Sequence, residues 1–176
     1  MPLMSPESRF GRFGGREWHG YDTAQVCLNG HVITQFAGTR PERLKKFCDK
    51  CGAETIIACP KCSKSIQGYH HTGSVHGPPR KEAPAFCHES GTAFPWTEAQ
   101  IAAAQRLADE TAEFTPEDRE QFRQSLNDMV KQTPSTPLAV NRSKKLLLKG
   151  GRLVSDGLRD ILVDVLSEAV KKQIWG

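Results

Sequence analysis

The chain has 176 residues, of which 38% are hydrophobic and 25% charged, too little apolar content for one large core and better suited to small, locally stabilised units. The net charge of +4 divides into +4 over residues 1–96, −4 over 97–133 and +4 over 134–176, and no segment reaches the charge density of a dedicated nucleic-acid binder. No run of about 18 apolar residues is present, which excludes a membrane-spanning helix. No apolar run follows Met1, so no secretory signal is expected and the expected location is cytoplasmic, where thiols stay reduced.

In chain order, residues 1–20 are rich in Gly, Arg and Ser without periodicity and read as a disordered leader. Residues 21–96 hold all six cysteines, and their regular elements are expected to be short strands at Val26, Val32–Ile33 and Thr55–Ile57. His70–Ala85, with Pro78 and Pro79, reads as a mobile insertion. Residues 97–176 change to helical patterning. Thr97-Glu-Ala-Gln100 has the form of a capping box, followed by an apolar stripe at Ile101, Ala104, Ala108 and Ala112. Thr115-Pro116 supplies an N-cap and a first-turn proline ahead of Phe122, Leu126 and Met129–Val130. Pro134 and Pro137 break the chain. A third helix is expected over Leu138–Lys149, stopped by Gly150–Gly151, and a fourth over Arg152–Ile174. The last carries a wide apolar stripe opposite Asp156, Asp160, Asp164 and Glu168.

The chemistry lies in the cysteines. Phe47-Cys48-Asp-Lys-Cys51-Gly52 is echoed by Phe86-Cys87-His-Glu-Ser90-Gly91, with Cys59-Pro-Lys-Cys62 between them and Cys27-Leu-Asn-Gly-His31 ahead. Two residues between cysteines let a tight turn aim both sulfurs at one ion, and the following glycine takes the positive φ that closes the turn. In a reduced setting such pairs read as metal ligands rather than disulfides, and Zn²⁺ takes four in a tetrahedron. The sequential pairing joins Cys27, His31, Cys48 and Cys51 at one centre and Cys59, Cys62 and Cys87 at a second; a cross-brace would interleave the knuckles instead. With His31 as an ordinary turn residue, the first centre would keep three thiolates. The second lacks a fourth cysteine, because Ser90 stands there and a hydroxyl is a poor zinc ligand. His88, His70, His71 and His76 are candidate replacements, and a water-filled position or a decayed, metal-free site are the alternatives. The fold expected is small α+β: tandem zinc ribbons, built of short β-hairpins and zinc knuckles over residues 21–96, then a region of about four helices over 97–176.

The runs YDTAQVCLNGHVIT, KKFCDKCGAETIIACPKC, IQGYHH and FCHESGTAFPWTE resemble the bacterial domain of unknown function 2321 family. That resemblance implies a double zinc ribbon with zinc ligands at Cys27, Cys48, Cys51, Cys59, Cys62 and Cys87. The family usually carries a cysteine where this chain has Ser90, so the departure falls on the second zinc. No nucleophile–base arrangement, phosphate loop or meaningful carboxylate pair is present, so no enzymatic activity is expected. The expected role is that of a zinc-binding adaptor or regulatory protein, contacting an unknown protein partner or a second copy of itself through the last helix. The alternative is nucleic-acid binding, with Arg43, Lys45, Lys46, Lys50, Lys61 and Lys64 near the knuckles and Phe47, Tyr69 and Trp96 available to stack on bases.

Overall fold

The computed structural model describes residues 19–72 and 82–176. The expected leader, apart from its last two residues, and the centre of the expected insertion, with His76 and the two prolines, lie outside them. The chain is a small α+β protein in which short antiparallel strands precede a helical C-terminal region. It divides into two compact units between Trp96 and Thr97.

In the first unit, β1 (His19–Thr23) pairs antiparallel with β5 (Gln67–Thr72), with Gly20 opposite His71 and Tyr21 opposite His70. A second sheet has the order β3-β2-β4, from β2 (Gln25–Cys27), β3 (Val32–Thr34) and β4 (Thr55–Ile56). The three β-prone pieces of the sequence are the strands of this second sheet. The β1–β5 ladder is a correction: His70 and His71 stand in a paired strand, not in a loop. This pairing joins residues about fifty positions apart, and a Gly-containing, histidine-rich strand carries no alternation to announce it.

Between Tyr21 and Thr23 the register slips, and such a bulge re-aims the side chain it carries. Asp22 is thereby turned inward and is only 2% exposed. Its carboxylate accepts hydrogen bonds from the Thr23 N–H (2.7 Å), the Gly38 N–H (2.9 Å) and the Thr39 hydroxyl (2.5 Å). Buried charge needs such partners, and His71 Nε2 approaches it at 3.4 Å. Opposite the bulge, Gly68 has no room for a side chain. A Cβ there would lie 2.3 Å from the Gln35 carbonyl oxygen. The apolar interior is small: Ala24, Val26, Ile66, Phe94 and Trp96, with Cys59 and Cys87 among them.

The second unit is helical. α1 (Pro95–Glu110) begins in the first unit and continues into the second. It starts two residues before the expected cap, so Thr97 is a buried helical residue and not a capping one. Ala104 and Ala108 are buried, but the helix ends before Ala112, which is exposed. α2 (Pro116–Lys131) has the full capping box: Thr115 Oγ1 accepts from the Asp118 N–H at 3.2 Å, and Asp118 accepts from the Thr115 N–H at 2.9 Å. Phe122, Leu126, Met129 and Val130 are all buried along its inner face, the i, i+4 geometry that helical pitch requires.

α3 (Thr136–Leu162) runs through the expected glycine stop but bends there, since Gly151 alone leaves helical geometry, at φ 78° and ψ −179°. Gly150 is helical but tightly packed, a Cβ there falling 3.1 Å from Phe114 and Val154. The expected single last helix is broken. The chain leaves α3 after Leu162, and Ser167 caps a separate α4 (Glu168–Trp175) by accepting from the Val170 N–H at 3.4 Å. Leu158, Leu162, Val165, Leu166 and Val170 are buried, while Asp156, Asp160, Asp164 and Glu168 are exposed. The apolar stripe is therefore covered for the most part, and its acidic counterpart is solvated.

Candidate metal centres

The first cluster forms where β2 runs out. Cys27 ends the strand, and the turn after it closes through the Gly30 N–H to the Cys27 carbonyl (2.9 Å) and the Cys27 N–H to the His31 carbonyl (3.0 Å), with Gly30 at φ 89°. This turn carries His31 back over Cys27. The second half is a knuckle in which the Cys48 N–H donates to the Ala53 carbonyl and the Gly52 N–H to the Cys48 carbonyl, both at 2.8 Å. Gly52 sits at φ 70°, where a side chain would be strained.

Two features bring the halves together. The Leu28 N–H donates to the Glu54 carbonyl at 2.9 Å, and β2 pairs with β4 through Cys27 and Thr55. Buried Gln25 then clamps the approach to the knuckle. Its amide donates to the Lys45 carbonyl (2.8 Å) and the Thr55 hydroxyl (2.7 Å), and its oxygen accepts from the Lys45 N–H (3.0 Å).

The result is four donor atoms, Cys27 Sγ, His31 Nδ1, Cys48 Sγ and Cys51 Sγ, all within 4.8 Å of one another. A tetrahedral ion with sulfur at ~2.3 Å and nitrogen at ~2.0 Å requires S···S edges of about 3.8 Å and S···N edges of about 3.5 Å. The observed edges are 3.7 Å for Cys27–Cys51, 3.5 Å for Cys27–His31 and 3.6 Å for Cys48–His31. All six cysteines are free thiols, so the sulfurs converge without bonding to each other. The set can hold a metal ion.

The thiols are not equivalent. Burial pushes Cys27 above the ordinary thiol range, while the backbone N–H of Ala53 holds Cys51 below it. Asn29 Nδ2 also donates to Cys51 Sγ, at 3.4 Å; an amide two residues after Cys27 gave no signal of this in the sequence.

The second cluster joins Cys59, Cys62 and Cys87 and repeats the knuckle twice. The Cys59 N–H donates to the Lys64 carbonyl and the Ser63 N–H to the Cys59 carbonyl, both at 2.8 Å. The Cys87 N–H donates to the Thr92 carbonyl and the Gly91 N–H to the Cys87 carbonyl, both at 2.9 Å. All three Cys-x-x-Cys/Ser turns are framed by the same isolated bridge: Phe47 with Glu54, Ala58 with Ser65, Phe86 with Ala93. The middle turn has no glycine; Ser63 adopts the left-handed φ of 59° in its place. Cys62 Sγ lies 3.6 Å from Cys87 Sγ, and Ser90 Oγ lies 3.8 Å from Cys59 Sγ. The Ser90 hydroxyl, followed by its backbone N–H, holds the Cys87 thiol down to about 6.

Both clusters follow the sequential pairing. The histidines proposed to complete the second centre do not do so among the described residues. His70 packs on Tyr21, with ring centroids 4.5 Å apart. His71 faces Asp22 and stacks edge-on with Tyr69. His88 is exposed and outside the cluster. The position equivalent to the fourth cysteine belongs to Ser90.

The aromatic frame has a packing role. Trp96 stacks on Phe94 at 4.6 Å, donates from Nε1 to the Pro84 carbonyl at 2.9 Å, and sits over Gly30, where a Cβ would lie 3.1 Å from its own. Trp96 and Tyr69 are both buried, which removes them as base-stacking platforms. Only Phe47 of the three expected aromatics is exposed, and Lys46 covers its ring at 5.4 Å. Lys45 pairs with Asp49 at 2.8 Å and Lys64 with Glu89 at 3.7 Å, so several of the knuckle cations are already engaged.

None of the described helices is long and apolar enough to cross a membrane. No curated protein and no solved structure matches the chain. A family model described as an uncharacterized protein conserved in bacteria, domain of unknown function 2321, matches residues 20–174, and the chain belongs to that family.

Proposed function

We propose that this is a zinc-binding, non-catalytic protein whose metal fastens the N-terminal unit and whose helical unit binds protein, either a partner or a second copy. Zinc is favoured by the donor set: three thiolates and an imidazole at tetrahedral spacing suit a redox-inert, borderline-soft ion in a closed structural site. A structural role is favoured by the first unit's small apolar interior, since ligand-binding free energy then serves as folding free energy. A non-catalytic role is favoured by the surroundings of the Asp22–His71 pair, a carboxylate–imidazole contact in the first unit. Asp22 is consumed in holding the loop at Gly38 and Thr39, and the nearby Thr39 hydroxyl donates to that carboxylate.

The observation that carries the binding role lies at the bend of α3. Leu148 is 84% exposed and Leu153 88% exposed, on either side of Gly151. Leu148 lines a cleft of about 470 Å³ together with Lys144, Leu147, Arg152 and Ile174. Exposed apolar side chains near cationic ones are a signature of interfaces. Nucleic-acid binding is the weaker reading, because two of the three aromatics it needs are buried and the knuckle lysines are partly paired.

Sedimentation equilibrium and cross-linking of the full chain test the binding role. The expected result is concentration-dependent association, or a cross-linked partner, in either case lost in Leu148→Asp/Leu153→Asp. A monomer that captures nothing through this face would overturn it. Elemental analysis tests the metal, with zinc expected at one equivalent or more per chain.

A further inference from the structure

The two clusters differ at a single corner. At the first, every corner carries a strong donor. At the second, the last knuckle is complete in every backbone respect: the flanking bridge, both hydrogen bonds and a left-handed Gly91 at φ 67°. It has not decayed as a turn. What has changed is the chemistry of one atom, Ser90 Oγ in place of a sulfur, still facing Cys59 Sγ at 3.8 Å.

We propose that the second cluster is an open three-thiolate metal centre whose fourth position, at Ser90, accepts an external thiol. This rests on the reading that the clusters hold metal ions. A neutral hydroxyl is a poor match for a soft, thiolate-bound ion, so it holds the corner weakly and yields to a better donor. Ser90 is exposed, which gives an incoming ligand access. Among the described residues, His70 is engaged by Tyr21, His71 by Asp22 and Glu89 by Lys64, and His88 is exposed and outside the cluster. Three thiolates and a divalent ion carry one net negative charge, and a fourth thiolate makes it two, the same charge as an ordinary four-cysteine site. In the exchange, the thiol loses its proton to solvent as its sulfur bonds the metal, and the Ser90 hydroxyl or a water leaves unchanged. No electron moves.

The test uses the full chain loaded anaerobically with Co²⁺ and titrated with 2-mercaptoethanol, read by sulfur-to-cobalt charge-transfer absorbance. Two cobalt ions per chain are expected. Absorbance is expected to rise to saturation by about one sixth, as six coordinated thiolates become seven. Ser90→Cys supplies the seventh thiolate itself and is expected to start at the higher absorbance and stay there. Two bound cobalt ions with no response to the thiol would overturn the proposal, as would an equal response in Ser90→Cys. A single bound cobalt also overturns it while leaving the first centre standing. A chain that binds no cobalt overturns both readings.

Discussion

The two units of this chain reach a folded state by different means. The helical unit has an ordinary interior, where Phe122, Leu126, Met129, Leu158 and Leu162 are each no more than 2% exposed. The strand unit buries Val26, Ile66, Phe94 and Trp96 as deeply, but two of its cysteines belong to the same core cluster. One is held by apolar burial, worth about 25 cal/mol per Å². Under the proposed function the other is held by metal–ligand bonds, a structural zinc contributing about 10 kcal/mol or more near neutral pH.

Breaking one ligand should separate the two most sharply. Cys48→Ala is expected to remove a metal equivalent and unfold the strand unit, while the helical unit keeps its amide protection; hydrogen exchange with elemental analysis reads both. Loss of protection in both units together would show that they fold as one. The reverse experiment is Leu126→Ala, which empties a fully buried site and is expected to cost about 2–5 kcal/mol. Denaturant unfolding of the helical unit should move by that amount with metal content unchanged.

Gly68→Ala sharpens the comparison from inside the strand unit. Overpacking against backbone is expected to cost at least about 1–3 kcal/mol, and here the obstacle is the Gln35 carbonyl itself. The expected outcome is loss of β1–β5 amide protection with both metal equivalents retained, since neither strand carries a ligand. The smallest effect is expected from Thr115→Ala, which removes half of the capping box at α2 and should cost about 1 kcal/mol. Thermal unfolding should register it as a drop of a few degrees confined to the helical transition.

The knuckles were legible because they are local. Cys48, Gly52, Cys59 and Cys62 lie within fifteen residues, and a turn that aims two sulfurs at one ion leaves its spacing in the chain. The three strands of the second sheet were legible for a similar reason, lying next to the ligands they deliver. The β1–β5 pairing was not. Its partners are far apart, and it is fixed by the Asp22 bulge and the space at Gly68, neither of which has a pattern. The end of α3 at Leu162 was missed because the apolar stripe continues across it, and only the Ser167 cap marks the break.

The sequence by itself determined the donor types and their grouping, because ligand chemistry and short-range turn geometry are properties of a few adjacent residues. It also determined which helical faces are wet, since charge repeating every fourth residue has one place to go. Tertiary structure decided which histidine joins a cysteine cluster and which are packing, and that Ser90 stands at a preserved corner. Those outcomes depend on where distant strands set their side chains, a matter of steric fit and hydrogen-bond satisfaction that no short stretch of chain encodes.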